Sequence, residues 1–189
     1  MESALIVSST DKGAGFLTEL LGSCIHSNLI IASSGSEVRR LLIEGSFEMV
    51  VINAPLKDEF GHELALKCAA TSSAGVLLIV KTDLADDISA KVEDYGVFVL
   101  PKPISRQLFF QSVKLVQASR KRLLGLKSEN VLLQQKIEEI RLVDRAKCAL
   151  IQYLNLTEAQ AHRYIEKQAM DMRLPKSSIA ENILKTYES

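Results

Sequence analysis

Residues Arg145–Ala180, RAKCALIQYLNLTEAQAHRYIEKQAMDMRLPKSSIA, read as three helical pieces with two marked breaks. Asn155-Leu156 ends the first piece. Thr157 then opens the second: the Thr157-x-x-Gln160 spacing is a capping box, in which the threonine side chain accepts from a free backbone N–H and Gln160 reaches back. The spacing predicts a helix through about Met172, with Ala161, Ile165, Ala169 and Met172 on one face. Arg173-Leu174 makes the next turn. Pro175 suits a first helical turn, where its missing N–H costs nothing. Ile179, Ile183 and Leu184 give the last helix its apolar face. Three short helices of this kind make a small all-α bundle. Opposite the apolar face of the middle helix lie His162, Arg163, Glu166 and Lys167. Arg163 and Lys167 stand i, i+4, a like-charge pair that costs a few tenths of a kcal/mol in an isolated helix. An anionic ligand offsets that cost; a solvated charged face tolerates it.

The same stretch resembles the ANTAR domain, the helical RNA-binding module of bacterial transcription antiterminators. The resemblance rests on Ala146-Lys147, Leu156-Thr157-Glu158-Ala159, Ala161-His162-Arg163-Tyr164-Ile165, Lys167-Gln168, Ala169-Met170-Asp171, Arg173 and Ile179-Ala180, ungapped over 36 residues. It implies binding to a pair of stem-loops in nascent mRNA, so that an overlapping terminator cannot form. RNA recognition joins Lys/Arg contacts to phosphates with stacking on unpaired bases. The candidates for phosphate contact are Arg145, Lys147, His162, Arg163, Lys167, Arg173 and Lys176, and those for stacking are Tyr153 and Tyr164. Tyr164 also suits a place in the bundle core.

Upstream, apolar runs alternate with helical patterns. Ala4–Val7, Leu29–Ala32, Met49–Ile52, Val76–Val80 and Val97–Leu100 are too apolar for half-exposed strands. Strands buried on both faces with helical crossovers predict a parallel five-stranded sheet. Five βα units predict an α/β flavodoxin-like order, 2-1-3-4-5. This half resembles the CheY-like receiver domain of two-component response regulators, most specifically at Lys102-Pro103 after the fifth strand. The resemblance implies an acidic pair for a divalent cation, a phospho-accepting Asp, a Thr/Ser and that lysine. Here the corresponding residues are Ser8-Ser9, Asn53, Val80 and Lys102. Aspartyl phosphorylation needs a carboxylate nucleophile, and Mg²⁺ wants carboxylate oxygens. Asp11 stands one or two residues late, in the expected following turn. A pseudo-receiver is therefore expected, neither phosphorylated nor Mg²⁺-bound, with Lys102 capping the pocket or pairing with an acidic neighbour. Its use would be dimer contact or docking of a regulatory protein.

Ser105 can cap a helix carrying Leu108, Phe109, Val113 and Val116. From Val116 a heptad fits: Val116, Leu123, Asn130 and Ile137 at a, with Ser119, Leu126, Leu133 and Ile140 at d. A polar Asn at one a position fixes register in a parallel dimer. The same pattern suits one amphipathic helix packed on its own domain. Gly125 is a soft point or a hinge. Past Ile140 the apolar positions shift to Val143, Ala146, Leu150 and Leu154. The expected division is a receiver-like domain over 1–119, a coiled-coil linker over 120–142 and the helical module over 143–189.

Composition narrows the function classes. The chain has 189 residues and 47% hydrophobic content, enough for real cores. No apolar run reaches the roughly 20 residues of a membrane span, and MESALIVSST lacks signal-peptide features. Cys24, Cys68 and Cys148 read as reduced, partly buried cytosolic thiols. His26, His62 and His162 show no metal-ligand spacing, and no nucleophile–base pair or phosphate loop suggests an enzyme or a cofactor. Residues 1–104 carry 8 Lys/Arg against 14 Asp/Glu, a net −6; residues 105–189 carry 15 against 9, a net +6. An anionic partner therefore belongs to the C-terminal half. The reading is a cytoplasmic, dimeric, RNA-binding antitermination regulator. Its rivals are a DNA-binding response regulator, a scaffold without nucleic-acid affinity, and a receiver that still takes phosphate.

Overall fold

The computed structural model describes residues 3–24 and 28–187. His26 lies outside them. The chain forms two units, residues 1–124 and 125–189.

The first unit is a five-stranded parallel sheet in the order β2-β1-β3-β4-β5. Its strands are β1 (Ser3–Ser8), β2 (Asn28–Ala32), β3 (Met49–Asn53), β4 (Gly75–Lys81) and β5 (Val97–Lys102). Helices α1 (Asp11–Gly22), α2 (Gly35–Glu44), α3 (His62–Thr71) and α4 (Ala85–Val92) connect them. Successive strand residues feed two cores, as the period-2 geometry requires. Leu5, Val7, Val50, Ile52, Leu78 and Val80 face one, with Val38, Leu64 and Cys68 from the helices. Ala4, Ile6, Val51, Leu77 and Ile79 face the other, with Leu17 and Leu21 of α1 and three residues of the helix after β5. Burial pushes the Cys68 thiol up to about 11. Cys24 is half-buried, while Cys148 is exposed rather than partly buried as expected.

The loop before α3 is fastened to α2. Asp58 accepts from the backbone N–H groups of Gly35 and Ser36 at 2.9 and 3.0 Å, in the first turn of α2, where a carboxylate is favoured. Those bonds hold its pKa down, from an ordinary 3.8 to about 2. Arg39 forks onto Glu59 at 2.6 and 3.0 Å. Gly35 allows this approach, since a Cβ there would lie 1.7 Å from Glu59 Oε1.

Helix α5 runs unbroken from Arg106 to Leu154, 49 residues, through Gly125. Ser105 Oγ accepts from the Leu108 N–H at 3.1 Å, the expected cap. Phe109, Val113 and Val116 are buried in the sheet's second core. Val116 therefore does not belong to the dimer seam, as the heptad had it. Its side chain fills the space over Gly75, where a Cβ would stand 2.4 Å from Val116 Cγ1. From Leu123 onward the stripe is uncovered: Leu123, Leu126, Leu133, Ile137 and Ile140 are 50–61% exposed, and Asn130 is exposed among them.

In the second unit, α5 contributes Ala146, Ala149 and Leu150 to a core completed by α6 (Glu158–Met172) and α7 (Lys176–Tyr187). Leu142 and Val143 pack partly against it, whereas Leu154 is 43% exposed and lies outside the stripe expected of it. Met172, expected on the apolar face of α6, is 57% exposed, and Ala161 and Ile165 carry that face.

Candidate nucleic-acid interface and the altered receiver pocket

Local chemistry fixes both ends of α6. Thr157 Oγ1 accepts from the Gln160 N–H at 3.3 Å, and Gln160 Oε1 accepts from the Thr157 N–H at 2.8 Å. At the far end, Arg173 takes a left-handed conformation (φ 54°). Its N–H reaches Met170 O, and the Leu174 N–H reaches Ala169 O, so the last carbonyls are satisfied in a Schellman turn. Glycine is the usual residue there, because an L side chain in that region is strained. Helix α7 begins at Lys176, one residue after Pro175, whose carbonyl accepts from Ser178 and Ile179. Asn155 (φ 52°) makes the break between α5 and α6.

Burying Ala161 and Ile165 turns the other side of α6 to solvent. Not all of its charges are equivalent. Glu166 sits 2.6 Å from Lys176 Nζ and 3.2 Å from His162 Nε2. The hydrogen bond from Lys176 and its charge, then His162, hold the Glu166 carboxyl below its usual range. Lys147 is 2.8 Å from Asp144 and 3.1 Å from Glu158, and its side chain is only 17% exposed. Those two carboxylates raise its pKa, Asp144 most. Lys147, Lys176 and His162 are thus engaged within the fold. Arg163, Lys167 and Arg173 are exposed and form no ion pair among the described residues. Arg145 is exposed on α5. Tyr153 stacks on Tyr187 at 5.5 Å with 22° between the rings, and stays 51% exposed. Tyr164 is 41% exposed, so it is not a core residue.

In the first unit, the ends of β1, β3 and β5 converge as the fold demands. Asn53 Nδ2 donates to Ser8 Oγ at 3.2 Å, Ser8 Oγ donates to Thr10 O at 3.2 Å, and Ser9 Oγ donates to Pro55 O at 3.1 Å. Asn53 Oδ1 is buried and has no partner among the described residues. Lys102 Nζ donates to Ala54 O at 2.5 Å, so it caps the pocket on a backbone carbonyl. Burial, then the nearby Lys81 cation, lowers its pKa. Val80 is fully buried. Thr82, two residues on, donates to the Lys102 carbonyl. The Ala54–Pro55 and Lys102–Pro103 bonds are both cis. Asp11 is the exposed first residue of α1, capped by Thr10, rather than part of a turn. Gly13 closes that side: a Cβ there would meet Ser8 Oγ at 2.7 Å and Asn53 Nδ2 at 2.8 Å.

Solved receiver domains share this first fold. The signal receiver domain of an HD domain-containing protein from Pseudomonas fluorescens Pf-5 superposes with a TM-score of 0.58 at 20% identity, covering 66% of this chain and 92% of that one. A response regulator receiver domain protein from Clostridium thermocellum gives 0.56 at 19% identity, covering 66% and 99%. Residues 132–184 match the ANTAR domain family. The chain carries an ANTAR domain behind a receiver fold. Similarity over a longer span comes from the transcriptional regulatory protein PdtaR of Mycobacterium tuberculosis. It is 24% identical over 155 residues, 82% of this chain and 76% of that protein.

The second unit holds features that sequence reading missed. Tyr187, stacked on Tyr153, lies on another helix, 34 positions on, with no pattern to announce it. Glu158, the partner of Lys147, stands 11 positions away across the Asn155 break.

Proposed function

We propose that this chain is an RNA-binding transcription antitermination regulator. In this reading it works in the cytoplasm as a homodimer, joined along the Leu123–Ile140 stripe of α5. Each ANTAR domain takes one stem-loop of nascent mRNA through the α6 face, with Arg163 and Lys167 at its centre and Arg173 at its end. Holding the second stem-loop prevents the terminator from forming. The ANTAR match over 132–184 carries the reading, and the uncommitted cations of α6 support it. Five large apolar side chains at least half exposed on one helical stripe support the dimer. Burying them gains ~0.8 kcal/mol per methylene, and Asn130 facing its counterpart would set the register. The receiver fold acts as an interaction module without phosphorylation, since Ser8, Ser9 and Asn53 offer no carboxylate to accept a phosphoryl group or to hold Mg²⁺. No step in this function is chemical. The protein binds, and RNA geometry does the rest.

The test is binding to a two-hairpin leader RNA across a salt series, with duplex DNA and a loop-scrambled RNA as controls. Selective binding to intact hairpins should weaken as salt rises. It should be lost in R163E/K167E. Equal binding to all three nucleic acids would reduce the reading to a nonspecific basic surface. No binding by either the full chain or residues 120–189 would leave a scaffold.

A further inference from the structure

The flanks of the α5 stripe carry an unusual charge pattern. In the heptad anchored on Asn130, Lys127, Gln134 and Arg141 stand at e, and Glu129 and Lys136 at g. Coiled coils commonly place opposite charges at e and g, so that g of one helix pairs with e of the next heptad on its partner. In a parallel dimer of this chain, Lys136 instead meets the partner's Arg141, as Arg122 at the g before Glu129 meets the partner's Lys127, but only the Lys136 and Arg141 pair lies within the matched ANTAR span. Glu129 meets only a neutral glutamine. The cluster is doubled by symmetry, one on each flank.

Neighbours on the same helix do not relieve it. Glu139 stands three residues after Lys136, and Glu138 three before Arg141, the spacing of intrahelical pairs. Neither pair forms among the described residues, and all four side chains are exposed. The contrast with Lys147 is instructive, since that cation is covered by two carboxylates of its own chain. Arg145 follows Arg141 by one helical turn. Both cations of the cluster also lie inside the matched ANTAR span, which begins at residue 132.

We propose that Lys136 of one helix and Arg141 of its partner form a phosphate-binding pair on each flank of the coil, taking the phosphodiester backbone of the bound RNA. The inference rests on the homodimeric, RNA-binding reading above and adds to it a site that exists only in the dimer. A phosphate between the two cations removes the repulsion that the free dimer carries. RNA binding and dimerisation therefore strengthen each other, as linkage requires.

Charge reversal separates this site from an ordinary coil flank. K136E and R141E each turn the like-charge pairing into an attractive one, so each should tighten the RNA-free dimer severalfold. Each should also weaken hairpin RNA about tenfold at low salt and reduce the salt slope by about one for every phosphate that is no longer held. The double variant K136E/R141E restores like charges, now negative, so its dimer should return to about the wild-type affinity while its RNA affinity falls further. The experiment measures dimer dissociation by sedimentation equilibrium with and without a two-hairpin RNA, alongside RNA affinity in the same buffers. The exposed positions leave the fold intact, checked by the thermal transition. Tighter dimers with unchanged RNA affinity and salt slope would overturn the phosphate site while leaving the antitermination reading standing. A wild-type chain that binds no hairpin RNA, or stays monomeric, would overturn both.

Discussion

The packing of Val116 over Gly75 can be taken apart quantitatively. Val116 is 1% exposed and its Cγ1 lies 2.4 Å from where a Cβ on residue 75 would stand. V116A removes two buried methyl groups and leaves a gap, at a cost of about 2 kcal/mol. G75A forces a methyl into occupied space, at about 1–3 kcal/mol for overpacking. Together the two changes exchange volume: the alanine at 75 enters the space that Cγ1 vacates. The double variant should therefore be more stable than the sum of the single costs by about 1–2 kcal/mol, a coupling of the size that touching residues show. Native-state hydrogen exchange of the β3 and β4 amides in the full chain reads this directly. The first-unit melting temperature should fall by several degrees in each single variant. Neither single variant should change dimer dissociation, whereas L133A should weaken the dimer without touching strand exchange. Strictly additive costs, or a V116A variant whose loss is in dimer affinity alone, would refute the placement of Val116 in the receiver core.

Three further outcomes follow from local geometry. R173G should relieve the left-handed strain at the end of α6 and stabilise the second unit by ~0.5–1 kcal/mol in urea unfolding, while lowering hairpin affinity through the missing cation. T157A should remove the capping box and cost ~1 kcal/mol in the same assay, with no change in the receiver strands. Asp58 is held below its ordinary pKa, so its contribution is present above pH 3.8 and is lost as pH falls toward about 2. An acid titration of first-unit stability should accordingly flatten over that window in D58N.

Much of the architecture was readable because buried parallel strands announce themselves as unbroken apolar runs. The five runs match β1 to β5 apart from end residues such as Ser3, Asn53 and Lys102. The α6 boundaries were equally legible, because a capping box and a following turn are local. What failed was phase. Phe109, Val113 and Val116 continue smoothly into the heptad of Leu123 and Leu126, and periodicity alone does not tell a sheet-facing residue from one facing a second helix. The glycine that distinguishes them, Gly75, sits 41 positions away. The same limit hid the partners of Lys147 and Lys176, which close across turns at separations of 11 and 10 residues. Charge counts marked the C-terminal half as the basic one but did not show which cations are already committed to neighbours.

The pocket formed by Ser8, Asn53 and Lys102 has a consequence for timing. An acyl phosphate on an aspartate is a stored signal with its own lifetime, because water eventually removes it. In the proposed function no carboxylate of this pocket holds one, and that built-in timer is absent. Under the proposed reading, a signal arriving at this domain persists only while whatever delivers it stays attached. The response then follows the amounts of the two molecules and their rate of separation, and switching off means letting go.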